Sequence, residues 1–182
     1  RIDGEELVLI ADIGGGTSDF SLLRLGPQRA ARSDRRDDIL ANGGVHIGGT
    51  DFDKYLSLAS VMPLLGYGSS LRSGAAIPSS YYFNLATWHT INQAYTRKSV
   101  TQLADLARDA AEPGKIARLQ SLIDERAGHW LAIQVEGAKI ALSDADMVRL
   151  QLDRLAPPET RNVARAGFEA AVAGLVDQGA AT

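Results

Sequence analysis

No cysteine occurs anywhere in the 182 residues, which excludes a disulfide framework and any thiolate metal site. That lack suits a reducing compartment, and a cytoplasmic location is expected. No apolar run approaches the roughly 18 residues that a membrane-spanning helix needs, so no membrane partner is expected. An excess of one charge is also missing. Nineteen basic against 22 acidic residues leave a net charge of −3, which argues against nucleic acid as a bulk electrostatic partner. The first residues, Arg1 to Glu6, carry neither a signal-peptide pattern nor an initiating methionine. The sequence therefore reads as cut from a longer chain, as does its other end, where an amphipathic helix over 168–177 stops almost at once.

What is present is a soluble globular balance, with 45% hydrophobic and 23% charged residues, enough to bury a core in one domain or two small lobes. Leu7 to Ala11 form a short apolar run bounded by polar residues and glycines, the pattern of a strand buried on both faces. Gly14-Gly15-Gly16 predict a tight turn, Asp19 to Leu25 a second strand, and residues 28–41 a third, giving an antiparallel β-meander. The mixed charges of Arg24, Arg29, Arg32, Asp34, Arg35, Arg36, Asp37 and Asp38 read as a solvated hairpin and loop.

A second glycine-rich bend, Asn42 to Asp51, leads into a helix carrying Phe52, Tyr55, Leu56 and Leu58. Asp51 and Asp53 read as N-terminal carboxylates that complement the helix dipole. Residues 63–80 read as a loop, and Tyr81, Tyr82, Phe83, Trp88 and Tyr95 as core rather than a ligand box. Helical periodicity runs from Lys115 to Ser143, as one helix or two abutting ones. Residues 146–155 predict a strand, with Pro157-Pro158 turning the chain before the last helix. His46, His89 and His129 lack metal-ligand spacing and are expected to be structural.

Chemistry concentrates in Asp12-Ile13-Gly14-Gly15-Gly16-Thr17-Ser18-Asp19, a glycine turn between two strands. Such a turn can form a concave nest of backbone N–H groups for phosphate, with the Thr17 hydroxyl beside it. Asp12 could hold magnesium through water, since that ion favours one or two carboxylates plus waters and phosphate oxygens. A Walker loop needs a Gly-Lys-Ser/Thr ending and a dinucleotide fingerprint needs a following helix, so neither applies. A plain hairpin rich in glycine is the alternative. Glu136, Lys139 and Ser143, spaced i, i+3 and i+7, share one helical stripe. They are either a surface ion pair beside a serine or a polar face for a ribose and a base.

Together, the 12–19 turn, Gly48-Gly49-Thr50-Asp51-Phe52-Asp53, Glu136-Gly137-Ala138-Lys139-Ile140-Ala141-Leu142-Ser143 and Arg165-Ala166-Gly167-Phe168-Glu169 resemble the DnaK-type 70-kilodalton heat-shock chaperone family. The resemblance covers about the first 60 and last 50 residues, while 61–114 departs from it, as in a divergent bacterial member. It implies the second lobe of an α/β, actin-like (hexokinase-type) ATPase fold. Residues 1–47 would form a β-meander base, 48–171 an α+β upper subdomain, and 172–182 the start of a returning base helix.

By the same resemblance Asp12 would act through magnesium-bound water, and Gly14, Gly15, Gly16 and Thr17 would line the β- and γ-phosphates of ATP or ADP. Gly48, Gly49 and Thr50 would form the bend entering the upper lobe, Glu136 and Lys139 would meet the ribose, and Ser143 the adenine. Thr50 stands where the family has glutamate, and Ile140 where some members stack an arginine on adenine. The family's first phosphate loop, catalytic lysine and late adenosine loop have no counterpart in these residues. A piece with half the clamp is expected to bind nucleotide weakly and hydrolyse little. The parent would be an ATPase of the stress response, with a cochaperone or exchange factor and a client polypeptide as partners. Two alternatives remain: a fragment of an actin-fold small-molecule kinase, and a non-enzymatic lobe that docks a partner through an exposed patch of Tyr82 and Trp88.

Overall fold

The structure is a computed structural model that describes residues 3–181. Arg1, Ile2 and Thr182, the outermost positions of the expected base segments, lie outside the described residues. The chain is mixed α/β with small antiparallel sheets. It divides into two compact units, Arg1–Gly49 with Gly174–Thr182, and Thr50–Ala173. The sequence reading had placed these divisions at 47/48 and 171/172.

The smaller unit is a three-stranded meander, β1 (Glu6–Ile13), β2 (Ser18–Leu25) and β3 (Ile39–Val45), in spatial order β1-β2-β3. β1 pairs with β2 in unbroken antiparallel register from Glu6↔Leu25 to Ile13↔Ser18, and the glycine turn joins them. The strand forms because Leu7 to Ile10 are an uninterrupted apolar run with β-branched Val8 and Ile10, but it is not buried on both faces as expected. Leu7, Leu9 and Ile13 are each about two-thirds exposed, at 65%, 66% and 66%. Burial of a strand's side chains needs a layer over the faces of the sheet, and these positions are left open.

The third strand is also shorter than predicted. Gly26-Pro27 starts a single-turn helix, α1 (Pro27–Ala30), because the proline ring presets φ for a first helical position. A 3₁₀ turn over Arg36–Asp38 follows, and only then does β3 begin. Asn42, Gly43 and Gly44, expected in a bend, are strand residues opposite Ser21, Phe20 and Asp19. A register shift between Leu22 and Leu23 takes up the irregular entry of β3.

The charged run is not simply solvated. Arg29 Nη1 donates to Asp38 Oδ1 at 2.9 Å and its Nε to Glu5 Oε2 at 3.0 Å, while Arg35 Nε donates to Asp38 Oδ2 at 2.8 Å. Arg29 and Asp38 are both buried. The two guanidinium partners, Arg35 first and Arg29 second, hold the Asp38 carboxyl below its ordinary range.

The larger unit holds helices α2 (Gly49–Ser60) from Thr50 onward, α3 (Ser80–Ala86), α4 (Arg97–Arg108), α5 (Pro113–Asp124), α6 (Gly128–Ala141) and α7 (Arg165–Ala180) as far as Ala173, with a hairpin of β4 (Met147–Leu152) and β5 (Glu159–Ala164). α4 is capped by Thr96, whose Oγ1 accepts from the Ser99 amide at 3.3 Å. The periodic stretch from Lys115 onward resolves into two helices. Arg126, with φ of 52°, takes the left-handed conformation that ends α5. Gly128 then opens α6 against the Tyr95 hydroxyl, which accepts its amide hydrogen bond at 2.9 Å. A methyl at Gly128 would stand 2.6 Å from that hydroxyl, so glycine allows the close approach.

β5 was not foreseen in the sequence. The diproline does turn the chain, but into a strand antiparallel to β4, with Leu152↔Glu159 as the pair nearest the turn. Arg118 Nη2 holds Glu159 at 2.6 Å and so ties α5 to this hairpin. The core gathers Leu56, Leu65, Tyr82, Leu119, Leu122 and Leu131, each at most 2% exposed. The aromatic cluster divides: Tyr81 and Tyr82 are buried at 7% and 0%, whereas Phe83 and Trp88 are 40% and 48% exposed. Tyr82 and Trp88 therefore do not form one exposed docking patch. No helix among the described residues is long and apolar enough to cross a membrane.

Candidate functional site

In the smaller unit the glycine turn spans Gly14 to Thr17 and is exposed throughout. The Gly14 amide donates to the Thr17 carbonyl at 2.8 Å, which closes the turn. None of Gly14, Gly15 and Gly16 adopts the left-handed conformation. The glycines keep the turn bare. An added Cβ would meet nothing within 4 Å at Gly15 or Gly16, so steric fit inside the chain does not demand glycine at either position.

The second glycine bend is brought against this turn. The Gly49 amide donates to the Gly14 carbonyl at 3.0 Å, and Ser18 Oγ donates to the Ile47 carbonyl at 2.7 Å. A Cβ on Gly48 would lie 2.4 Å from the Gly16 nitrogen and 2.5 Å from the Gly15 carbonyl carbon. Both are backbone atoms, so Gly48 is glycine because the two turns are stacked in contact.

Asp12, at the end of β1, is exposed and directly opposite Asp19 in the register. Directly opposed side chains share a face of the sheet, and like charges there repel. A cation would relieve that repulsion. No group of three or more histidines, aspartates or glutamates among the described residues could hold a metal ion by itself. Magnesium commonly takes one or two carboxylates and completes its shell with water and phosphate oxygens.

In the larger unit the predicted stripe is not one helical face: α6 ends at Ala141, Ser143 lies in the turn after it, and the three residues are divided between two cavities. Lys139 and Ser143 line one, a shallow hollow of about 450 Å³ whose lining includes Phe52, Ile140, Arg165 and Phe168. Phe52 and Phe168 meet edge to face with centroids 6.4 Å apart. Arg165 is fixed by donating to the Ser143 and Ala145 carbonyls at 3.2 and 3.3 Å. Sequence reasoning had set Arg165 and Phe168 at the start of a late helix without a ligand role. Their only signal was an i, i+3 spacing shared by many helix surfaces.

Glu136 faces the neighbouring cavity, of about 250 Å³, together with Asp53. Asp53 is not a solvent-facing cap residue. Lys139 Nζ lies 2.8 Å from its Oδ1, both side chains being 20% exposed. The separation makes an ion pair, but the approach lies outside the angular range of a hydrogen bond, and Oδ1 is buried without an aligned donor among the described residues. Burial raises the Asp53 carboxyl above its ordinary range, against the pull of Lys139 and with a smaller push from Glu136.

The sign of the resulting pH dependence follows from that shift. A carboxyl raised in the folded state favours folding while protonated, and loses that contribution as pH rises from the ordinary carboxylate range through its folded value. Asp53→Asn is expected to flatten this part of the stability profile of the larger unit, measured by urea denaturation at a series of acidic to neutral pH values. An unchanged slope would show that Lys139 fully compensates the burial.

Of the histidines, His46 and His89 are exposed, and His129 packs against the Trp88 ring at 5.0 Å in an edge-to-face contact. Compared with models of known protein families, the sequence matches none.

Proposed function

We propose that this chain contributes phosphate and adenosine contacts to an actin-like ATPase domain of the DnaK-type heat-shock kind, with magnesium and ATP or ADP as ligands. The single observation that carries the reading is the bare turn at Gly15 and Gly16, held from behind by Gly48. Glycine carries a conformational entropy cost of roughly 0.5–1 kcal/mol relative to alanine. Neither a neighbouring atom nor a left-handed φ calls for it at these two positions, whereas a phosphate approaching the backbone would.

In this reading Gly14, Gly15, Gly16 and Thr17 hold phosphate oxygens. Asp12, with Asp19 opposite, would hold hydrated magnesium, which would supply charge neutralisation for phosphate oxygens, and the Asp12 carboxylate would accept a hydrogen bond from a water beside them. The hollow at Lys139 and Ser143 takes adenosine: Phe52, Ile140 and Phe168 supply apolar surface, and Lys139 and Ser143 supply polar groups. Ile140 gives no cation for stacking on the base. Arg165, which lines the same hollow, is a guanidinium within the site that the motif comparison alone does not supply.

Each half is testable in the chain as it stands, by amide NMR spectra during titration. Magnesium tripolyphosphate is expected to shift Gly14 to Thr17, and adenosine to shift Lys139 to Ser143 and Phe168, with dissociation constants on the order of millimolar. Asp12→Asn and Ser143→Ala should weaken the respective titrations by several-fold. Absence of saturable shifts at either place up to about 10 mM would overturn that half of the proposal.

A further inference from the structure

The cavity beside Glu136 is built differently from the adenosine hollow. Its apolar wall is Leu85 and Ala86 from the end of α3 with Ala132 and Val135 from α6, and Trp88 stands at its edge. Leu85, Ala86 and Trp88 lie within residues 61–114. Opposite this wall are four polar side chains, Thr50, Asp53, Ser57 and Glu136.

One of these is left short of a partner. Asp53 Oδ1 is buried with no aligned donor, and Ser57, only 4% exposed, lines the same cavity. Buried polar groups in a folded chain are normally satisfied, and one that is not calls for a water, an ion or a ligand. The lining carries two carboxylates, of which Asp53 is engaged by Lys139 at 2.8 Å, and two hydroxyls. Its unmet need is for donors and for positive charge.

We propose that this cavity binds a small organic ammonium ion: a primary amine whose N–H groups reach Asp53, Ser57 and Glu136 and whose apolar body lies along Leu85, Ala132 and Val135. The volume of about 250 Å³ accommodates about eight water-sized groups at ~30 Å³ each, which suits a compact monoamine and excludes a nucleotide. An ammonium ion has three donors and no acceptor, the complement of the three side chains it would meet. The open ring of Trp88, 48% exposed at the edge, adds a face that attracts a cation.

Because Asp53 lines this cavity and its partner Lys139 lines the adenosine hollow, amine binding would compete for the carboxylate that now holds Lys139. The proposal does not require that the adenosine reading be correct, since its own contacts are complete within this cavity.

The test uses the whole chain and a matched pair of probes, phenethylamine and the neutral phenethyl alcohol, followed by amide NMR spectra and by the Trp88 indole signal. The amine should give saturable shifts at Leu85 to Trp88 and Ala132 to Glu136, with the alcohol at least about tenfold weaker, as expected when a charge-assisted contact is lost. Asp53→Asn should weaken amine binding by about tenfold, and Ser57→Ala and Glu136→Gln by several-fold. Should Asp53→Asn fail to fold, Glu136→Gln decides, because Glu136 is exposed on α6 and its substitution leaves the core untouched. Equal binding of amine and alcohol, shifts confined to other residues, or no saturation by about 10 mM would overturn the proposal.

Discussion

Tyr82→Ala is expected to cost the larger unit about 3–5 kcal/mol, the usual range for removing a buried aromatic side chain. Tyr82 is 0% exposed, its ring lies 5.4 Å from that of Tyr67, and its hydroxyl donates to the Leu65 carbonyl at 3.3 Å. Tyr82→Phe keeps the ring and removes only that bond, so a loss nearer 1 kcal/mol is expected. Urea denaturation of the three proteins separates the two contributions; equal losses for both variants would mean that the hydrogen bond, not the ring, carries the site.

The same residue gives an alkaline signature. Burial pushes the Tyr82 phenol above its ordinary range. A raised folded pKa contributes stability that is whole below the ordinary phenol range and is lost as pH rises through the folded value. Tyr82→Phe should therefore be less sensitive than the parent to unfolding above about pH 10, the ordinary phenol pKa.

Gly48→Val should disable the smaller unit's double turn, and a paired substitution shows why. A side chain at Gly48 would begin within 2.4–2.6 Å of the Gly15 and Gly16 backbone, which cannot move aside without opening the turn. Overpacking of this kind costs roughly 1–3 kcal/mol and often more where backbone must yield. Loss of slowly exchanging amides in β1 and β2 is the expected readout. Gly15→Ala meets nothing within 4 Å, and its stability should stay within about 0.5 kcal/mol of the parent. Under the proposed function it should nevertheless lose binding of magnesium tripolyphosphate, because the methyl occupies the side from which phosphate approaches. A Gly15→Ala protein that binds as well as the parent would remove the main support for that reading.

Much of the local structure was legible because it depends on short-range chemistry. The hairpin around Gly14 to Thr17 follows from strand formers flanking glycines, and α2 from the apolar spacing of Phe52 and Leu56. The periodicity from Lys115 to Ser143 left one helix or two open, and the structure has two. The glycine turn was legible, whereas the contact between Gly48 and the backbone of Gly15 and Gly16 was not.

What failed to show in the sequence depends on partners distant along the chain. The apolar run of β1 suggests burial, yet its side chains are exposed, because burial depends on what packs over the sheet's faces, which no window of residues records. Arg29 and Asp38 look like solvated charges until the chain folds back and brings Glu5 to them across 24 positions. β5 has only Thr160 and Val163 as strand formers, and it is a strand because β4 offers it backbone partners.

Composition and periodicity by themselves determined the class of molecule: a mixed α/β chain with a bare glycine turn, no thiol chemistry and no apolar run long enough to span a membrane as a helix. Tertiary structure alone decided that Glu136 parts company with Lys139 and Ser143, and that Asp53 leaves the helix end to meet Lys139. The reason is geometric. Residues at i, i+3 and i+7 share a face only while the helix lasts, and α6 ends at Ala141, before Ser143; which hollow each one enters is set by the elements packed around it, here α3 on one side and α7 on the other.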